Sequence, residues 1–403
     1  MIERRRQTRR RWLGTCAGVA GITALAGCSE SDETSGNGDG TENSGNGRGS
    51  LGDDWPMYGV DLRNTAHHPN STGPDGDKLT KRSLLDREGR GAYQSAIVDE
   101  TLYVSGTSGR IKAFDLETEE VLWEAERSGP PTVYDGTVYG PTENRSVYGY
   151  DGDTGDRWKS DAVDSISGLG LLRPLPTDRG IIVASRESIW NFDPETGAYN
   201  EVLEISDPGR GTTNWPAIDD ETLYIGHWSE LHAVNLETSE IKWTFEPKDG
   251  GGLVDSNPAV ADGLVYLASY DGKLHAIDAD TGEEEWAVDT VANVEASPAV
   301  AEGIVYLGER DQVLAVDAAS GDLEWQETDA VAGEPEDIVV ADGVAYVTTR
   351  YGISAYDAAS GDLEWEYVIP DESDVVFNTP PTISDGTIYV GSADETWYAI
   401  EDA

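Results

Sequence analysis

Two cysteines, Cys16 and Cys28, are the only thiols in this 403-residue chain, and both fall in its N-terminal segment. The body that follows can build no disulfide, cysteine nucleophile or cysteine-based zinc site. The five histidines, His67, His68, His227, His232 and His275, show no metal-ligand spacing. No G-x-S-x-G, phosphate loop or dinucleotide fingerprint occurs. What remains are carboxylates and an indole just ahead of short apolar segments: Glu295, Glu336 and Asp337, and Trp215 in Asn214-Trp215-Pro216. An aromatic surface beside acids can hold a flat polar ligand. With 77 acidic residues in the chain, such neighbours also arise by coincidence. We expect no catalytic residue and no resident metal. That leaves the Cys28 sulfur as the reactive position, open to alkylation.

The residues around Cys28 say what the alkylation is for. Leu25-Ala26-Gly27-Cys28 resembles a lipobox, in which the chain is cut ahead of the cysteine and the sulfur takes a lipid. Upstream, Thr8-Arg9-Arg10-Arg11-Trp12-Leu13 resembles the twin-arginine export motif, with Arg9 and Arg10 as the pair. The apolar run Trp12–Gly27 is sixteen residues long, short of the ~20 needed to span a bilayer. Residues 1–27 are therefore expected to be a signal peptide. Residues 28–50, rich in Gly, Ser, Asn and acids, read as a flexible tether spanning roughly 25 Å. The mature protein is expected to be exported and lipid-anchored to the outer face of the cell membrane, with 51–403 folded. Asn70 and Asn144 begin glycosylation sequons.

The formal net charge is −49, with 28 basic residues, of which only seven are lysine. Six arginines sit in the first eleven residues, so the body is more acidic still. Such self-repulsion weakens a compact state in dilute buffer, whereas molar salt shortens the screening length to roughly 3 Å. The balance resembles that of proteins from salt-loving archaea. It argues against nucleic acid as a partner, because phosphate would be repelled.

Internal repeats set the architecture. Residues 258–286 read PAVADGLVYLASYDGKLHAIDADTGEEEW, and 298–325 and 338–365 repeat the pattern. Weaker copies begin at Ala96, Pro131, Pro174 and Pro216, and a truncated eighth begins at Pro381. Four short strands per ~40 residues is one propeller blade. Val, Ile, Leu and Tyr alternate with small or polar residues, and Asp-Gly pairs such as Asp262-Gly263 suit two-residue hairpins. In D-x-x-[ST]-G-x-x-x-W, the Asp and Thr hold a turn and the Gly supplies a positive φ. The indole, at Trp123, Trp158, Trp243, Trp286, Trp325 and Trp365, docks on the neighbouring blade; Glu201 takes its place in the third copy. The prediction is an all-β, eight-bladed β-propeller of four-stranded blades. Its ring would be closed by an N-terminal strand at 79–88, with Trp55-Pro56-Met57-Tyr58 packed beside it.

These repeats resemble the tryptophan-docked propeller of pyrroloquinoline quinone enzymes. They also resemble the propeller lipoprotein that helps assemble outer-membrane proteins in Gram-negative bacteria. The resemblance covers about 79–403 and implies a fold rather than an activity. The quinone enzymes imply a cofactor clamped by a disulfide of adjacent cysteines, with Ca²⁺ held by Glu and Asn beside a catalytic Asp. The propeller here has no cysteine.

The expected function is a non-catalytic cell-surface scaffold without a cofactor, monomeric, engaging a protein or a small-molecule ligand at one propeller face. A pyrroloquinoline quinone/Ca²⁺ dehydrogenase with an atypical site is the alternative. The loops that lead from outer to inner strands gather on the binding face, which is expected to carry Trp215, Asn257, Glu336, Asp337 and Asn378. Asp271 and Asp311 are expected on the opposite face.

Overall fold

The computed structural model describes residues 54–403, apart from 86–91, 107–109, 127–128, 142–145, 160–172, 186–187, 206–213, 228, 248–255, 291–295, 311, 329–332, 371–374 and 395. Among the described residues the fold is all-β, with eight sheets of consecutive antiparallel strands and no helix. The sheets are the blades of a propeller. Their inner strands are, in blade order, Ala92–Val98, Thr132–Tyr134, Leu175–Thr177, Ala217–Asp219, Ala259–Ala261, Ala299–Ala301, Pro335–Ala341 and Thr382–Ser384.

Blade 5 shows the local logic. Ala259–Ala261 pairs with Leu264–Ser269 across a two-residue turn in which Asp262 (φ +50°) and Gly263 (φ +79°) are both left-handed. That turn matches the twist of the strands it joins. Lys273–Asp278 and Glu284–Asp289 complete the sheet. Between them, Asp278 Oδ1 accepts bonds from Thr281 N (2.7 Å) and Thr281 Oγ1 (2.8 Å). Gly282 follows at φ +75°, and a Cβ there would lie 2.7 Å from the Trp243 ring of blade 4.

The docking indoles are donors as well as apolar surface. Trp123, Trp243, Trp286 and Trp325 give their Nε1–H to Gly152 O (2.7 Å), Ala279 O (3.0 Å), Ala318 O (3.1 Å) and Ala358 O (2.9 Å), each in the next blade. Trp158 lies in the outer strand Arg157–Lys159 of blade 2, and its side chain is outside those described. At the blade 3 position, Glu201 accepts a bond from Ser188 Oγ (2.6 Å) within its own blade.

The ring closes through the N-terminal segment. Leu79–Leu85 pairs antiparallel with Trp397–Asp402, from Leu79 opposite Asp402 to Leu85 opposite Trp397. Trp365 Nε1 donates to Pro74 O (3.1 Å), and Gly76 lies against the Trp365 ring. The amides of Asp75 and Gly76 bond the Asp402 carboxylate (2.8 and 3.1 Å). The start of the chain thus supplies both the outer strand and the turn that the eighth copy lacks.

The segment before that strand goes elsewhere than expected. Trp55 shares a core cluster with Leu85, but the backbone from Trp55 onward fills the central channel. Trp55 and Ile97 of blade 1 exchange both backbone bonds (2.7 and 2.8 Å). Pro56, Leu62, Arg63, Thr65, Ala66 and Thr72 then offer carbonyls to Val133, Ile218, Val260, Val300, Val340 and Gly386, of blades 2, 4, 5, 6, 7 and 8. In blade 7 this contact extends to a short parallel strand, His67–His68. The physical reason is that every inner strand presents an edge of unpaired N–H groups to the channel, and buried donors need acceptors.

Candidate functional site

One side chain of each blade stands at the mouth of the channel, three residues ahead of the amide that bonds the plug in blades 1, 2, 4, 5, 6 and 7. In blade order these are Gln94, Pro130, Arg173, Trp215, Asn257, Ser297, Asp337 and Pro380. In blade 3 the residue at the amide position is Pro176, which has no N–H to give. Arg173 makes the contact there instead. Its guanidinium donates to Tyr58 O and to Asn64 Oδ1 (2.7 Å) of the plug.

Asn64 is the centre of this arrangement. Its Nδ2 reaches the carbonyls of Pro216 (3.2 Å) and Pro258 (3.1 Å), so one buried amide joins blades 3, 4 and 5 to the plug. Arg173 is 1% exposed, and the Asp61 carboxylate acts on it only through its charge. Burial pushes it down to about 10, which keeps it charged at neutral pH. The guanidinium lies 5.7 Å from the ring centres of both Tyr58 and Trp215, within cation–π range. Those two rings meet edge-on at 4.7 Å.

Bonds pass from blade to blade around the rim. Trp215 N donates to Asn257 Oδ1 (2.6 Å), Asn257 N to Ser297 Oγ (3.0 Å), and Asn257 Nδ2 to Tyr58 Oη (3.2 Å). Behind them, Ser256 Oγ and Thr379 Oγ1 accept from Ala268 N (3.0 Å) and Gly391 N (2.8 Å), pinning the entry of their blades.

Opposite Arg173, four blades away, stands Asp337. A bulge between Pro335 and Asp337 breaks the register there, as one between Ala92 and Gln94 does in blade 1. Bulges re-aim side chains, and both Asp337 and Gln94 line a cavity above the plug. Burial, helped by the charge of Glu336, raises the Asp337 carboxyl to about 8. Burial also raises Tyr58 to about 12. Glu336 itself accepts a bond from Arg350 Nε (2.7 Å). Gln94 is 6% exposed, and its Oε1 has no hydrogen-bond partner. The cavity holds about 480 Å³ of empty space, open mouth included, with Tyr58, Asn64, Gln94, Ser297, Asp337 and Thr382 among its lining.

Of the residues expected on the binding face, the ring brings together Trp215, Asn257 and Asp337. Glu336 sits one position outside it, in its ion pair. Asn378 is exposed, two residues before Pro380. Asp271 corrects the expected polarity. It lies in the turn joining Leu264–Ser269 to Lys273–Asp278, at the same end of the blade as the ring. There it is buried against His275 Nε2 (3.2 Å). Glu295, Asp311, Asn144, Arg9, Arg10 and Cys28 fall outside the described residues. Sequence reasoning missed Gln94, Arg173, Ser297 and the plug residues Tyr58 and Asn64. Reading the position before each repeat's proline in register would have found Arg173 and Ser297.

The comparisons with known proteins fit this geometry. A family model described as outer membrane protein assembly factor BamB matches residues 70–249 and again 229–403. The quinone alcohol dehydrogenase subunit of Gluconacetobacter polyoxogenes is 32% identical over 94 residues, 21% of this chain and 13% of that protein. The assembly factor BamB of Yersinia pestis is 23% identical over 216 residues, 46% of this chain and 53% of that protein. The chain thus spans about half, or much less, of these relatives. Among solved structures, the quinohemoprotein alcohol dehydrogenase of Comamonas testosteroni superposes with a TM-score of 0.70 at 16% identity, covering 87% of this chain and 81% of that one.

Proposed function

The chain belongs to the family of the outer membrane protein assembly factor BamB, and from that premise we propose that it is a non-catalytic binding scaffold, lipid-anchored at Cys28 to the outer face of the cell membrane. It holds a partner, a protein or a small ligand, at the channel mouth and acts as a monomer. The observation that carries this reading is the ring. Eight equivalent positions on a rigid frame bear residues of which six are polar or aromatic, and four of the eight, Gln94, Ser297, Asp337 and Pro380, line one cavity.

The relatives include quinone alcohol dehydrogenases, and the residues at the channel mouth bear on whether such a cofactor fits. The amide of Asn257 is spent on Trp215 N and Tyr58 Oη. The Trp215 ring is met by Tyr58 and Arg173. Neither Trp215 nor Asn257 lines the cavity. A metal-ligating amide and an open aromatic floor, which the quinone enzymes imply, do not fit these engaged groups.

The test is capture of partners from membranes at native salt. Asp337→Asn and Gln94→Ala should weaken capture, and Asp280→Asn, in an exposed turn at the other end of blade 5, should not. Equal loss from all three variants would overturn the assignment of the face. Stoichiometric binding of pyrroloquinoline quinone with Ca²⁺, together with alcohol oxidation, would overturn the non-enzymatic reading.

A further inference from the structure

The cavity above the plug combines three observations. Asp337 faces it with no side-chain hydrogen bond and no counter-ion. Gln94 Oε1, a buried acceptor, is left without a donor in the same cavity. The neighbouring hydroxyls are engaged: Ser297 Oγ and Tyr58 Oη accept from Asn257 N and Asn257 Nδ2, and Ser95 Oγ and Thr382 Oγ1 satisfy each other at 2.7 Å. A buried acceptor left unmade costs about 1–3 kcal/mol, and a desolvated carboxylate more. Such a site is short of donors, and of positive charge whenever Asp337 is ionised.

Size narrows the choice. The closed part of the cavity takes only roughly one or two water-sized groups. A planar guanidinium with its five N–H groups does not fit such a space, whereas an ammonium is close to water in size and carries three donors. We propose that this cup receives a primary ammonium group presented by the partner, either a lysine side chain or a chain amino terminus, with Asp337 as counter-ion and Gln94 Oε1 as a hydrogen-bond acceptor. The proposal rests on the reading of the channel mouth as the binding face and gives that face its ligand chemistry. The surrounding field agrees, since a body of this net negative charge draws cations toward itself.

Other charged groups near the cup leave this role to Asp337. Glu336, on the same strand, is bonded to Arg350 in the turn that follows the next strand. Tyr58, from the plug, stays neutral because burial raises it to about 12. Arg173 lies beneath Tyr58, bonded to the plug. Burial raises the Asp337 carboxyl to about 8, so an arriving ammonium favours its ionised form and sends the displaced proton to solvent.

The test is calorimetric titration of the full chain in molar tetramethylammonium chloride at pH 7, repeated in two buffers of different ionisation enthalpy. Nα-acetyl-lysine methylamide probes the side chain, and alanine methylamide probes the amino terminus. Nα-acetyl-norleucine methylamide is the neutral control. One of the two amines should bind with release of about one proton, and the control should not bind. Asp337→Asn and Gln94→Leu should each weaken that binding at least tenfold, and Glu336→Gln should not. Absence of amine binding, equal binding by the norleucine control, full affinity in Asp337→Asn, or displacement by equimolar K⁺ would overturn the proposal. If amines fail while partner capture still depends on Asp337, the ammonium chemistry is wrong and the face stands. If amines bind while capture ignores Asp337, the face assignment is wrong.

Discussion

Trp286 Nε1 and Tyr266 Oη, from two strands of blade 5, converge on one carbonyl oxygen, that of Ala318 in blade 6, each at 3.1 Å. The same double clamp recurs when Trp325 and Tyr306 meet at Ala358 O, and when Trp243 and Tyr224 meet at Ala279 O. A blade is therefore held to its neighbour by two donors on a single acceptor as well as by a buried ring.

Removing each half of the clamp should have separable costs. Trp286→Ala loses ring and donor, with an expected destabilisation on the order of 3–5 kcal/mol. Tyr266→Phe keeps the ring and loses the hydroxyl, with an expected cost of about 1 kcal/mol. Because both serve one carbonyl, the double variant should depart from additivity. Denaturant melts of the four proteins check this, and an additive cycle would mean that the two donors act independently.

The channel carboxyl gives stability a pH dependence of stated sign. Asp337 is raised to about 8, so between the ordinary carboxylate range and pH 8 the folded state binds more protons than the unfolded one. Stability then falls as pH rises through this window. Asp337→Asn should stabilise the protein at pH 9, on the order of 2 kcal/mol, and change little at pH 4. Thermal melts at both pH values decide it. A gain that is equal at pH 4 and 9 would show that the carboxyl titrates normally.

Arg173 should matter to the fold more than its place at a rim suggests. Replacing it with Met leaves Tyr58 O and Asn64 Oδ1 without a donor, an expected loss of about 2–4 kcal/mol. Hydrogen exchange should then rise at Ile218 and Val260, whose amides bond the plug beside Asn64. Unchanged protection at both amides would sever Arg173 from the plug.

Two seams lack the docking tryptophan. Blade 3 has Glu201 where others have tryptophan, and the matching glycine of blade 4 is Ser239, still at φ +59°. The closing strand Leu79–Leu85 of blade 8 also has no tryptophan, and blade 1 has Glu119 at the glycine position, at φ +56°. Ion pairs occupy both places. Arg179 meets Glu221 and Glu237 at the first, and Arg82 meets Glu119 (2.8 Å) at the second. Exposed pairs are weak and screened by salt. Amide exchange should be faster along these two seams than between blades 5 and 6. Glu201→Trp with Ser239→Gly should raise the melting temperature, and a flat exchange profile around the ring would count against this ranking.

Charge sets the working range. With a net charge of −49, stability should fall steeply when salt is dialysed below about 1 M. Circular dichroism during dialysis reads this directly, and unchanged melting in dilute buffer would mean that the charge is tolerated unscreened.

The blades were legible because their rules are local. Asp262-Gly263 names a hairpin, Asp278-x-x-Thr281-Gly282 names a turn, and Trp286 eight residues beyond Asp278 names an outer strand. The paired loss of Trp and Gly at Glu201 and Ser239 was also open to reading, since each substitution removes the reason for the other. The plug was not legible. Trp55–Thr72 has no period of its own, because its partners are single amides spread over blades hundreds of residues apart. Arg173 and Gln94 were hidden for the same reason, since each is meaningful only beside a segment that the repeat does not predict.

The plug also bears on how the blades come to depend on one another. In a linear array, each repeat answers only to its two neighbours, and disorder can begin at either end. Here one stretch of backbone bonds directly to six of the eight inner strands and to the turn after the inner strand of blade 8, and it reaches blade 3 through Arg173. The propeller is therefore wired as a hub with spokes as well as a circle. The hub is also made first and used last, since residues 55–72 leave the ribosome before any blade exists to receive them and find their last donor in Gly386. Assembly must wait for the whole chain, and once complete it should come apart as one cooperative unit.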